Sequence, residues 1–521
     1  MRDEETGRNR YDLIPYGSRP TAGAHCRRLE AVATLFGMQV APPCSARVLD
    51  LGCGMGDGLL PQALEYPAAR FVGCDLAETH IARAAETAAA LGLRNVELWH
   101  RDLCDADASW GRFDYIVCNG VFSWVSPDAR GRIVEILRNN LAPDGIAYVS
   151  FNALPGWHLR RVARELMCYH SAPFADAHEA IAQARAILAL TAESYAADDP
   201  FAALIRDEYV DLSRSGDSYL LHEMLSEHNR PFYFREFMEQ VEAAGLQYLG
   251  APDLAPMFTW DLPDAARRFL EPMPLLVREQ YLDFLRGAPF RKCLLCHGEV
   301  ELDRRLDPSV LKGLFVGLNR NARLQARGSG EAESQKPVAA EGIARLVIGA
   351  CEFPCPNALA SAALQLLDDR RPELVAVPEL LDTAGAMLEA DDRPDPGALL
   401  RFLMDAVTGG ALDVAVSPPC VTSRAGERPA VSPLARLQAE TGCWLTNQKH
   451  ESVRLTNIER LVARALDGTR DRRELREMVS RAIESGLVSL GVFEQVGEAS
   501  DSNQLVEHML GFFGRSALLV A

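Results

Sequence analysis

Arg47-Val48-Leu49-Asp50-Leu51-Gly52-Cys53-Gly54-Met55-Gly56 is a short apolar run that holds a carboxylate near its end and continues into glycines at alternate positions. A buried strand, an acid at its carboxyl end and a glycine turn leading to a helix set bare backbone beside a nucleotide-like ligand. The spacing is G-x-G-x-G with Asp50 two residues ahead. A dinucleotide site instead needs G-x-G-x-x-G, which seats pyrophosphate on a helix N-terminus. Asp50 is badly placed for a phosphate and well placed for an amine. The expected ligand is a nucleoside with a cationic head and no phosphate.

The flanking sequence repeats the arrangement. Residues 69–76 form a second apolar strand ending in Asp75-Leu76, and a carboxylate there accepts from both ribose hydroxyls. An alanine-rich helix over 79–91 leads to a third strand, 96–100, and then to Arg101-Asp102-Leu103. Asp102 is suited to accept from an exocyclic adenine amine while Leu103 packs on the ring. A fourth strand is predicted over 113–120 and a fifth over 145–151. Alternating β–α units with acids at three successive strand ends make a doubly wound α/β sheet, ligand at its carboxyl edge. S-adenosyl-L-methionine (SAM), a sulfonium nucleoside, meets the chemical description. Gly52, Gly54 and Gly56 would admit its methionine portion.

Composition narrows the function. A chain of 521 residues exceeds one core and is expected to form two to four domains. It is 48% hydrophobic and 24% charged, as soluble globular proteins are. No apolar run approaches the roughly 18 residues that span a bilayer, and residues 1–10 lack the apolar core of a signal peptide. A cytoplasmic location without membrane partners is expected. The odd total of 13 cysteines, mostly in apolar strands, fits reduced thiols. Cys293-x-x-Cys296-His297 spells a haem-attachment pattern and, with Cys351 and Cys355, suggests zinc; the intervening leucines read instead as strand core, so no metal is expected. A net charge of −18 argues against nucleic acid and favours a basic, lysine-bearing protein substrate.

The segment 11–20, rich in aromatics and proline, begins an N-terminal cofactor cover expected over 1–45. The Rossmann-like core follows over 46–155. Residues 156–326 read as a helical insert, lying over the substrate side, plus the last strands, 246–249 and 291–297. A polar linker spans 327–341. Beyond it, 342–416 reads as winged-helix-like, and 434–521 as a second, mainly helical winged-helix-like region.

Tyr11-Asp12 with Pro15-Tyr16, Asp50 to Gly56, Phe113-Asp114-Tyr115-Ile116, Gly120 to Val125, and Pro155-Gly156-Trp157 together resemble bacterial class I methyltransferases that carry a methyltransferase regulatory domain. Pro231-Phe232-Tyr233-Phe234, Leu294 to His297, Trp444 to Asn447 and Leu466 to Asp471 extend the likeness through the insert and C-terminal region. Relatives among the rickettsial outer-membrane-protein lysine methyltransferases imply protein-lysine N-methylation. The chain departs at Asn119, where the family carries histidine, and at His80, where glutamine is usual.

Methyl transfer from a sulfonium needs little beyond positioning, because the leaving group is already charged. The reaction face is expected after strands four and five, from Asn119, Phe122, Trp124 and Asn152, with Tyr16 supplied by the cover. Asn119 also borders the cofactor. Asn119 or Asn152 would aim an amine by accepting its hydrogen bond. Desolvation among aromatics lowers the lysine pKa so that a dedicated base is not obligatory, and Tyr16 and His158, which could help with the proton, read first as structural. Two other readings are a small-molecule methyltransferase, with the extra domains serving dimerisation or regulation, and a non-catalytic SAM-binding regulator.

Overall fold

The computed structural model describes residues 10–17, 19–194, 196, 198–326, 343–388, 395–486, 492–493, 497–498 and 502–520. The expected linker 327–341 lies outside the described residues, as do Ser18 and residues 1–9. The chain divides into two units. One comprises described residues of 1–19, 39–252 and 263–301; the other comprises 20–38, 253–262 and described residues from 302 onward. The expected 1–45 cover is thereby split: α1 (Arg10–Leu13) belongs to the first unit, and α2 (Cys26–Leu35) to the second.

The first unit is built on a seven-stranded sheet ordered β3-β2-β1-β4-β5-β7-β6. Its strands are β1 (Arg47–Leu51), β2 (Arg70–Asp75), β3 (Val96–His100), β4 (Phe113–Cys118), β5 (Leu141–Asn152), β6 (Leu246–Gly250) and β7 (Phe290–His297). The first five are parallel; β7 runs antiparallel to β5, and β6 antiparallel to β7. Val48, Leu49 and Leu51 are all buried, as expected for a central parallel strand covered on both faces. Crossovers α3 (Leu60–Glu65), α4 (Glu78–Ala90) and α5 (Pro127–Asn140) return the chain, so β1, β2 and β4 end at the same edge. Strand β5 begins four residues before the expected 145: Leu141 still pairs with Phe113, and the register shifts before Tyr115 meets Ile146.

The insert forms α6 (Gly156–Ser171), α7 (Ala177–Ser194) and α8 (Pro200–Ser213). Ile181, Ala184 and Leu188 recur at helical spacing along α7 and bury against Ala163 and Met167 of α6 and Ile205 of α8. A π turn over Leu220–Met224 follows. Cys293 and Cys296 are buried in β7, three positions apart on a strand and so facing opposite sides of the sheet. Among the described residues no cluster of His, Cys, Asp or Glu is assembled to hold a metal, and no helix is long and apolar enough to cross a membrane.

In the second unit Phe315–Leu318 pairs with both Val375–Ala376 and Leu412–Ala415. Ile343–Ile348 lies between Arg323–Ala326 and Cys351–Pro354. The C-terminal portion packs the hairpin of Trp444–Thr446 and Ser452–Arg454 with the helices Asn457–Ala465, Arg472–Glu484 and Ser502–Arg515. Capping boxes at Thr456/Glu459 and Asp471/Glu474 start two of those helices.

Candidate functional site

The glycine turn is left-handed by necessity: φ is +74° at Gly52, +54° at Gly54 and +82° at Gly56. A Cβ on Gly52 would lie 2.5 Å from Val121 Cγ2. Gly52 and Gly56 exclude side chains on both conformational and steric grounds, and Gly54 on conformational grounds. The turn thus exposes backbone beside Asp50 and Asp75. Gly54 N–H donates to Asp75 Oδ2 (2.9 Å) and Ala77 N–H to Oδ1 (2.8 Å). Two amides fix the carboxylate, which still has acceptor capacity for two hydroxyl protons. Asp102 is oriented in the same way, capping the turn Leu103–Asp105 by accepting from Cys104 N–H (2.9 Å). Leu76, beside Asp75, is 43% exposed, an apolar surface open to a flat ring; Leu103 is half-buried.

Asp50 is buried, and burial, reinforced by the Asp75 charge, pushes its carboxyl up to about 7. A buried acid beside another acid is costly to ionise without a cation, so the donor set favours a positively charged ligand. The residues present therefore fit a sulfonium nucleoside carrying an ammonium group.

The expected reaction face is more divided. Trp124, on the turn after β4, is nearly buried and meets Trp157 edge-on at 5.9 Å. Asn152 at the end of β5 is buried, and its side-chain Nδ2 has no hydrogen-bond partner, an orphaned donor. Phe122 must be reassigned. It is fully buried among Phe151, Phe232 and Phe237, at centroid distances of 6.4, 5.3 and 5.3 Å, and serves as core rather than as a wall. Asn119 is corrected in its role: its Oδ1 already accepts from Tyr148 Oη (3.2 Å) and Ser150 Oγ (3.0 Å). Both lone pairs are used in holding β4 to β5, leaving none to aim an amine.

Tyr16 donates its phenol to Glu223 Oε1 at 3.0 Å. Burial and the neighbouring Glu223 hold the phenol far above its ordinary value, so it acts as a donor and not as a base. His158 pairs with the Tyr233 hydroxyl (3.1 Å) beside a cavity of about 390 Å³ between α6 and the segment 229–236. Sequence reasoning missed Tyr11, His222 and Glu223. His222 donates to Ile14 C=O (2.7 Å) and stacks on Tyr11 at 4.2 Å. Tyr11 in turn meets His80 edge-on, and His80 Nδ1 lies 3.5 Å from Asp75 Oδ1. The available signal was the adjacent His222-Glu223 pair within the apolar stretch 220–225.

Models of known families match three stretches: a methyltransferase domain over 48–145, a predicted methyltransferase regulatory domain over 216–297, and the C-terminal winged helix domain of PKMT over 427–518. Uncharacterized protein RP789 of Rickettsia prowazekii is 31% identical over 98% of this chain and 94% of its own length. Uncharacterized protein RP028 of the same organism is 37% identical over 46% of this chain. The structure of PKMT2 from Rickettsia typhi in complex with AdoHcy superposes with a TM-score of 0.84 at 30% identity, covering 97% of this chain and all of that one.

Proposed function

This chain belongs to the family of the rickettsial PKMT2 methyltransferase, and from that premise we propose that it transfers the methyl group of SAM to lysine side chains of a protein. It is a SAM-dependent methyltransferase with a class I fold and a C-terminal winged helix domain. The observation that carries the reading of the site is the set of strand-end acids Asp50, Asp75 and Asp102 around the left-handed glycine turn.

In this reading Gly52, Gly54 and Gly56 accommodate the methionine portion, Asp50 faces its ammonium, Asp75 holds the ribose, and Asp102 with Leu76 and Leu103 holds the adenine. Asn119 borders the cofactor as a structural tie. Bound SAM supplies an activated methyl. The protein's task is to hold an amine in line at roughly 3–3.5 Å from it and to exclude water. Trp124, Trp157 and Tyr16 furnish aromatic surface that attracts the acceptor cation. The insert within 156–326 and the C-terminal region 434–521 would read the acceptor protein.

Tritiated SAM offered to a bacterial lysate and, separately, to its small-molecule filtrate tests the substrate class. Label retained by protein and recovered as methyl-lysine after acid hydrolysis is expected. Label confined to the filtrate would overturn the protein substrate in favour of a small-molecule methyltransferase.

A further inference from the structure

The carboxylate of Glu223 is an acidic group outside the expected cofactor set that the fold ties directly to Tyr16 of the N-terminal segment. It sits on the π turn Leu220–Met224, a local widening of the helix that is common at functional positions. Tyr16 donates to Oε1 at 3.0 Å, and no other hydrogen bond to the carboxylate is made among the described residues. Adjacent His222 is locked by its bond to Ile14 C=O and by its stack on Tyr11, with Tyr16 edge-on at 5.7 Å. Asp12 binds the same segment to α4 by accepting from Thr79 N–H and Oγ1. Tyr11 and His80 bridge the space from Glu223 to Asp75, the residue assigned to the ribose. A carboxylate and aromatic faces are thus assembled beside the cofactor edge, and that combination receives ammonium groups.

We propose that Glu223 is a catalytic residue: it binds the acceptor lysine's ammonium, with Tyr16 fixing its carboxylate, and takes up the ammonium proton. The assignment rests on the protein-lysine reading above. One N–H bond of the ammonium breaks and an O–H bond forms on Glu223. The freed amine lone pair then forms the N–C bond to the methyl as the C–S bond breaks, its electrons staying on sulfur. The product is a methylammonium and a neutral thioether, and the proton leaves Glu223 for solvent before the next turnover.

The surroundings suit this task. Burial pushes the Glu223 carboxyl up to about 7, while the Tyr16 hydrogen bond and the Arg160 charge pull the other way. Arg160 is itself engaged by Glu208 (3.3 Å) and the Tyr219 hydroxyl (3.2 Å), so it does not neutralise Glu223 outright. Tyr11 and Tyr16 are held protonated by burial. An acid balanced near neutrality is half-ionised where the transfer must occur, and general-base assistance of this kind contributes about 10²- to 10⁴-fold.

The test compares wild type, Glu223→Gln and Tyr16→Phe at saturating SAM, with bacterial protein extract as acceptor and methyl-lysine as the measured product. Wild-type kcat should rise through about pH 7. Glu223→Gln should lose about 100-fold or more and lose that limb, with AdoHcy affinity unchanged by calorimetry. Tyr16→Phe should move the limb to higher pH, since the hydrogen bond that favours ionisation is gone. A readout independent of turnover is thermal stability: the raised folded pKa withdraws wild-type stability progressively as pH climbs from the unfolded value to about 7, so the Glu223→Gln Tm should gain more on wild type at pH 8 than at pH 5. A Glu223→Gln enzyme with wild-type rate and pH limb overturns the assignment while leaving the lysine reading intact. Wild-type label on acceptors other than lysine overturns the lysine reading itself, and is seen before any variant is compared.

Discussion

Asp50 is the residue on which the cofactor site's charge balance turns. Its carboxyl, pushed up to about 7 by burial and by Asp75, must be ionised to face an ammonium. SAM affinity is therefore expected to rise from pH 6 to pH 8 and to flatten in Asp50→Asn; calorimetric titration at the two pH values checks this. The sign for the free protein is opposite. An acid whose folded pKa is raised withdraws stability as pH climbs from its unfolded value toward 7, so Asp50→Asn should leave the free protein's Tm at pH 8 no lower than wild type. Phe122 gives the converse case, a residue assigned to chemistry by position and found in the core. Phe122→Ala should cost about 3–5 kcal/mol in urea unfolding and leave the activity per folded molecule largely intact. The strand-end acids were legible because strand, acid and turn are contiguous in sequence. The inward turn of Phe122 was not, since nothing local says which side of the loop meets Phe232 and Phe237. Glu223 was missed for a different reason: the His222-Glu223 pair stands out in its apolar stretch, but its partner Tyr16 lies 207 residues away.

At the scale of elements, β7 is fastened to the helix Leu275–Arg286 by a buried ionic cluster. Arg291 donates to Glu279 Oε2 and Asp283 Oδ1, each at 2.7 Å, and to Glu279 C=O at the same distance. Burial still pushes the Asp283 carboxyl up to about 6 against the pull of Arg291. Arg291→Met would strand two buried carboxylates and is expected to destabilise by about 3–5 kcal/mol. The loss should shrink at pH 5, where protonation relieves the unpaired acid; equal losses at pH 5 and pH 8 would contradict this account. Strands β1 to β4 were readable from apolar runs bounded by Asp and Gly. The early start of β5 was not, because Pro143 and Asp144 carry turn character and a register shift, set by β4, absorbs them.

For the whole molecule, the sequence pointed correctly to a class I methyltransferase sheet with a C-terminal winged helix domain. It did not disclose that residues 20–38 fold with the second unit, since α2 is apolar and helical whichever unit it joins. A net charge of −18 suits a basic acceptor, so KM for protein should rise with added salt while the affinity for SAM, set by buried carboxylates, changes little. The central claim is that one sulfonium nucleoside is held across the ends of β1, β2 and β3. Calorimetric titration of AdoHcy into wild type and Asp75→Ala measures it most directly. One site per chain, weakened about 10- to 100-fold by the substitution, is the expected result. No binding heat from the wild-type protein, or equal affinity in the two proteins, would contradict it.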